Sequence, residues 1–272
     1  LEFAKPVLKD SLDKLKSQNL KKIIAIPAML FAAGHTKNDI PSVLNTYSSN
    51  TGLEINYGRE LGVNNLTIGA AGERIKQVID ANPKVSASET LLVVVGRGSS
   101  DPDANSNVAK ITRMLVEGFG FGWGETLFSG VTFPLVEPGL RYAVKLGFKR
   151  IIVFPYFLFS GVLIDRIKQQ ASSVSHDHPE IEFLMANYLG NQPLIVDTFM
   201  QRIQEVLSGD NSMNCLLCKY RSKLLGFEEE VGLVQQSHHH HVEGIQGEKS
   251  DTHGHVHSHF RYPHSDHPLG PV

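Results

Sequence analysis

The feature that most narrows the fold is an internal repeat. "KKIIAIPAMLF" (Lys21–Phe31) lies over "KRIIVFPYFLF" (Lys149–Phe159) without a gap. The register holds downstream: Glu54 meets Glu182, Leu61-Gly62 meets Leu189-Gly190, Leu66 meets Leu194, and Arg74-Ile75 meets Arg202-Ile203. A constant offset over that length marks a duplicated domain, so one architecture must serve both halves. The second copy opens with "LLVVVGRGSSDPDAN" (Leu91–Asn105), a buried-strand run ending in a Gly/Ser/Asp turn. The same offset places its counterpart before residue 1. The first copy is therefore expected to lack its first strand and helix, and the chain, which opens on Leu1 without signal-peptide features, reads as a fragment or processed product.

Within each copy, strand-like and helix-like segments alternate. In the second they are expected at Leu91–Val95, Val108–Glu117, Leu127–Thr132, Gly139–Leu146, Arg150–Phe157, Ile164–Val174, Ile181–Ala186 and Leu194–Leu207. That order predicts an α/β fold of βαβ units, with parallel sheets flanked by helices. The organisation expected is a first half over residues 1–84, a second half over 90–208, and a tail over 209–272. The tail holds "MNCLLC" (Met213–Cys218) and ten of the thirteen histidines of the chain, among Gly, Ser, Asp and Pro. Such a segment cannot bury a core and is expected to be disordered.

Composition excludes some classes of function. The formal net charge of −2 gives no support to a nucleic-acid partner or an anionic membrane surface. The most apolar run, "IIVFPYFLFSGVLI", is too short to span a bilayer and is broken by Pro155 and Gly161. A strand buried on both faces explains it better. Two cysteines make no disulfide framework, which points to a reducing compartment and a cytoplasmic protein.

Four segments are candidates for chemistry. His35 follows the strand expected at Ile23–Ala28, at the carboxyl end where open α/β sheets bind ligands. A lone His there is by default a loop or core residue. The repeat changes those odds, because Leu163 in the other copy shows that the fold needs no histidine at this place. Asp39 either orients the imidazole or caps the next helix. "GRGSSDPDAN" (Gly96–Asn105) offers Arg97, Ser99 and a helix start, but lacks the lysine and glycine spacing of nucleotide motifs, so it reads first as a strand-to-helix turn with Asp101 or Asp103 at the cap. Cys215 and Cys218 have the spacing of half a zinc or iron–sulfur site, which a second subunit or tail histidines would complete. The histidines of the tail, among them His238, His239, His240, His241, His253, His255, His257 and His259, suit the buffering or delivery of Co²⁺, Ni²⁺ or Zn²⁺, with an expression tag as the minor alternative.

"LFAAGHTKNDIP", "GRGSSDPDAN" and "FPYFLFSGVL" resemble the long, two-domain sirohydrochlorin cobaltochelatases of the CbiX type, class II chelatases with the fold of ferrochelatase. The resemblance covers residues 1 to about 207. "MNCLLC" is similar to the MxCxxC motif that holds an iron–sulfur cluster in some long members, which also carry His-rich C-termini. The resemblance implies a metal site built from a His in a "HGS" motif, a Glu in a "LE" pair and a His in "GH". Only Glu2 and His35 can be carried onto this sequence; Arg97 stands at the place of the "HGS" histidine in the second copy and Leu163 at that of the other. The second half then resembles a degenerate copy that shapes the cleft, with Arg97 and Ser99 as the groups to hold substrate carboxylates.

What the resemblance implies is an ATP-independent lyase that inserts Co²⁺ into sirohydrochlorin on an early-cobalt route to cobalamin. His35 and Glu2, facing a crevice between the copies, would hold the ion and accept pyrrole protons. The partners expected are sirohydrochlorin, divalent metal ions and a second copy of the chain sharing a cluster, with no nucleic acid and no membrane. Insertion of Fe²⁺ or Ni²⁺ is the runner-up within enzymes, and a non-enzymatic metal or tetrapyrrole carrier is the rival from another class.

Overall fold

A computed structural model of the chain describes residues 5–211, 213, 217 and 222–231. Six strands, all in parallel pairings, and seven α-helices alternate along these residues. The chain forms two compact units. Among the described residues, one comprises those up to Gly62 together with those from Phe199 onward; the other is Val63–Thr198.

The first unit holds helix α1 (Leu8–Ser17), strand β1 (Lys22–Ala25), helix α2 (Ile40–Thr51) and strand β2 (Glu54–Tyr57). Strands β1 and β2 pair in parallel, with Lys22 opposite Glu54 and Ala25 opposite Tyr57. Helix α2 crosses over the pair and buries Ile40, Val43, Leu44 and Tyr47. Its end is fixed by Gly52, whose φ of 69° lets its N–H return to the Ser48 carbonyl. The core on this side gathers Leu12, Ile40, Leu44, Tyr47 and Leu53, with Ile23, Ala25 and Ile55 packed against it.

The second unit is a four-stranded parallel sheet in the order β4-β3-β5-β6, made of β3 (Thr90–Gly96), β4 (Trp123–Phe128), β5 (Arg150–Pro155) and β6 (Glu182–Met185). Helices α3 (Asn65–Ala81), α4 (Pro102–Phe119), α5 (Val136–Ala143) and α6 (Val162–Asp177) belong to it, and α7 (Pro193–Ser208) runs from this unit into the residues of the first. The two central strands, β3 and β5, are buried along their whole length. That is why their sequences read as unbroken apolar runs rather than alternating ones.

The repeat is legible in the hydrogen bonds. Lys22 pairs with Glu54 as Arg150 pairs with Glu182. Leu61 N–H donates to the Met29 carbonyl as Leu189 N–H donates to that of Phe157, both at 2.9 Å. The closing helices, however, are exchanged. Arg74 on α3, the last helix of the first copy in sequence, donates to the Leu189 carbonyl of the second at 2.9 Å. Arg202 on α7, the last helix of the second copy, donates to the Leu61 carbonyl of the first at 2.6 Å. The same arginine of the repeat thus ties the same loop carbonyl, each time in the other copy.

One expected strand is displaced. The run Leu127–Thr132 looks extended and apolar, yet the strand is Trp123–Phe128 and the chain turns after it. β4 lies at the edge of its sheet, so its first half is exposed or half-buried and tolerates "WGET". The apolar residues beyond Phe128 belong to the loop.

Candidate functional site

The candidate site is built on the turn after β1. Beyond Ala25 the chain continues alongside the segment after β2: Gly58 N–H reaches the Ala25 carbonyl at 2.8 Å, and Gly62 N–H that of Leu30 at 2.8 Å. This places the sequel of both strands at one carboxyl edge. His35–Asp39 then forms one wide turn of π type that leads into α2. Such turns concentrate at functional sites, because the extra residue redirects side chains.

Within that turn, His35 Nδ1 lies 2.6 Å from Asp39 Oδ2. The Asp39 side chain is 4% exposed and that of His35 24%. Although Asp39 stands at the cap of α2, it makes no side-chain capping bond. Of the two roles open from sequence, orientation of the imidazole is the one observed. Asn38 Nδ2 donates to the other carboxylate oxygen at 3.1 Å. An ionised carboxylate only accepts, so Nδ1 donates and the tautomer places the lone pair of a neutral ring on Nε2. Thr36, fully buried, bonds Met29 Sδ through its hydroxyl and takes the Tyr57 hydroxyl on its carbonyl at 3.1 Å. Burial pushes the Tyr57 phenol up, which keeps it a donor.

A second acidic group at this edge was not singled out from the sequence. Glu60, three residues past the last paired residue of β2 in "YGRELG", is 6% exposed. Its Oε2 has no hydrogen-bond partner among the described residues. The two neighbouring arginines are engaged elsewhere. Arg59 holds Glu205 through two bonds of 2.8 and 3.0 Å. Arg202 bonds Glu205 and the carbonyls of Glu60 and Leu61. Burial accordingly pushes the Glu60 carboxyl above its ordinary range, with Arg59, Arg202 and Lys37 drawing it back only in part.

The other sequence candidates fall elsewhere. Arg97 and Ser99 belong to the second unit, in the loop between β3 and α4; Arg97 is exposed and Ser99 half-buried. The "GRGSSDPDAN" segment closes on itself as a helix start. Asp101 is the cap, accepting from Asp103 N–H at 3.0 Å, with Pro102 behind it. Ser99 Oγ accepts from Asp101 N–H, and Asn105 clasps the Ser99 backbone through both N–H and carbonyl. Glu2, Cys215, Cys218 and the tail histidines His238–His241, His253, His255, His257 and His259 lie outside the described residues. Among the described residues, no group of three or more His, Cys, Asp or Glu side chains could hold a metal ion.

Comparison with known proteins decides the family. The CbiX model matches residues 1–78 and 91–206. The chain belongs to the CbiX family. A sirohydrochlorin cobaltochelatase of Priestia megaterium is 37% identical over 232 residues, covering 85% of this CbiX chain and 74% of the relative. A sirohydrochlorin ferrochelatase of the same organism is 29% identical over 210 residues, 76% of each. Among solved structures, SirB from Bacillus subtilis with Fe³⁺ superposes with a TM-score of 0.65 at 24% identity, over 78% of this chain and 83% of that one. SirB in complex with cobalt gives 0.61 at 23%, over 79% and 82%. These likenesses bear out the α/β chelatase fold that the family resemblance implied. No helix among the described residues is long and apolar enough to cross a membrane.

Proposed function

We propose that this CbiX protein is a sirohydrochlorin cobaltochelatase, a lyase-type enzyme that inserts Co²⁺ into sirohydrochlorin without ATP, on an early-cobalt route to cobalamin. The observation that carries the reading is the 37% identity to a sirohydrochlorin cobaltochelatase over 85% of the chain. The His35–Asp39 pair supports it locally, since insertion needs a group that can hold a divalent ion loosely or take a pyrrole proton near neutral pH.

His35 supplies that group through Nε2. Asp39 fixes the ring by accepting from Nδ1, the usual arrangement behind a metal-binding imidazole. Glu2 provides a negative charge and a second proton acceptor. Insertion breaks two pyrrole N–H bonds and forms metal–nitrogen bonds from the freed lone pairs, so two protons must leave. Arg97 and Ser99 hold substrate carboxylates, for which a guanidinium is the stronger partner. Cys215 and Cys218 supply half of a four-thiolate set. A cluster there would need a second copy of the chain, and no step of insertion runs through it. The histidines of the tail buffer the ion before insertion.

The test is anaerobic absorption spectroscopy of sirohydrochlorin with Co²⁺, comparing the chain, His35→Ala and no protein. Acceleration by the chain that collapses in the variant is the expected result. Equal rates with and without protein would overturn it. Running Fe²⁺ in parallel addresses the reading favoured by the 29% identity to a ferrochelatase, because affinity order alone does not set the physiological metal.

A further inference from the structure

The loop after β4 contains a backbone conformation that the fold alone does not call for. Thr132 N–H donates to the Gly130 carbonyl at 2.8 Å, closing a three-residue turn with Val131 at its centre. Val131 has φ of 68°. Three-residue turns with a positive central φ are the rare, strained kind, and a β-branched residue is among the worst placed to occupy one. Glycine would remove the strain, and glycine stands next to it at position 130. Nor does burial repay it, because Val131 is 49% exposed.

The turn is nonetheless held firmly. Ser129 N–H donates to the Gly96 carbonyl at 2.9 Å and its hydroxyl to that of Arg97 at 3.0 Å. Gly98, at φ 89°, approaches so closely that a methyl group on it would sit 1.8 Å from the Gly130 oxygen. The loops after β3 and β4 are therefore locked together, with Val131 presented outward. After β5, the other neighbour of β3, Phe159 is 66% exposed and Val162 76%. All three apolar groups sit at the carboxyl edge of this sheet, where open α/β sheets take their ligands, and Arg97 lies in the loop between them in strand order.

Strain retained without packing benefit belongs to function more often than to folding. We infer that Val131, Phe159 and Val162 form an apolar ledge on the second unit against which the flat face of the tetrapyrrole rests, and that Val131 is kept in its strained turn to make that contact. Arg97 serves the carboxylate rim of the same ligand. This rests on the chelatase reading, because a planar apolar face ringed by carboxylates is the chemistry that matches an apolar ledge beside an exposed guanidinium.

Binding without chemistry tests it. Metal-free sirohydrochlorin is titrated into the full chain and its own absorption followed, for the unaltered protein, Val131→Gly, Val131→Asn and Phe159→Ala, with a melting curve for each. Val131→Gly relieves the turn and Val131→Asn tolerates it, so both melt at or above the parent temperature, while Kd rises about 5- to 30-fold for the lost apolar surface. Phe159→Ala raises Kd by a similar or larger factor. Unchanged Kd in the variants overturns the ledge, as does a fall in melting temperature for Val131→Gly, which would make Val131 a packing residue. If the unaltered chain itself fails to bind sirohydrochlorin, the chelatase reading fails first and the ledge with it.

Discussion

Where the first copy carries His35 the second carries Leu163, and where the first carries Asp39 the second carries Ile167. Asp39 and Ile167 are both buried, at 3% and 0% exposed. Burying a carboxylate is costly unless it is hydrogen-bonded, whereas burying isoleucine is favourable outright. The first copy accepts the less stable choice and satisfies it with His35 and Asn38. The second replaces both members of the pair by aliphatic groups. The two positions differ together: one copy holds an oriented imidazole over a buried carboxylate, the other a pair of aliphatic side chains.

The strand pairs differ in a second way. Lys22–Glu54 lies at the surface, with side chains 52% and 58% exposed. Its counterpart, Arg150–Glu182, is 1% and 35% exposed. Arg150 also donates to the Asn82 and Val85 carbonyls, which fastens the segment between the copies to the centre of the sheet. The same register pair is thus ornamental in a two-stranded sheet and structural in a four-stranded one, because only the latter removes it from water.

These contrasts can be broken by substitution. Converting the first copy to the second, His35→Leu with Asp39→Ile, should abolish insertion by more than about 100-fold while the melting temperature stays level or rises. Retained activity would detach the pair from the chemistry. Next, Arg150→Met should lower unfolding free energy by about 2–4 kcal/mol in a denaturant titration, as it strands two carbonyls and Glu182. Lys22→Met should leave the midpoint where it is, and equal effects would contradict the difference in burial. Asp39→Asn should then reduce insertion about 10- to 100-fold with His35 intact, the range seen when the partner of a ligating histidine is altered.

The smallest effect is expected at Glu60. Its carboxyl is pushed above the usual value of 4.5, chiefly by burial. Between that value and the raised one, the folded chain holds more protons than the unfolded chain, so stability falls as pH rises. Glu60→Gln should melt like the parent at pH 4 and increasingly above it towards neutrality. A gap that is constant with pH would show that Glu60 does not titrate in this range.

The sequence anticipated a good deal of this. The alternation of strand-like and helix-like segments predicted parallel sheets flanked by helices, and all the observed strand pairings are parallel. His35 could be singled out because its counterpart is Leu163. Other features had no one-dimensional signature. Glu60 reads as an ordinary turn glutamate, since nothing local reveals that Arg59 and Arg202 are committed to Glu205 and to carbonyls. β4 was misplaced because an edge strand tolerates "WGET" while the loop after it is apolar. The exchange of α3 and α7 was invisible, because equivalent helices carry the same arginine and the pattern does not say which copy each one closes.

That exchange sets a schedule for synthesis. The Leu61 carbonyl waits for Arg202, 141 residues later in the chain. At roughly 5–20 residues per second, a ribosome needs about 7–28 seconds to supply it. Through that interval the second unit can assemble in order as it emerges, but the part of the protein made first stays open until nearly the last helix arrives.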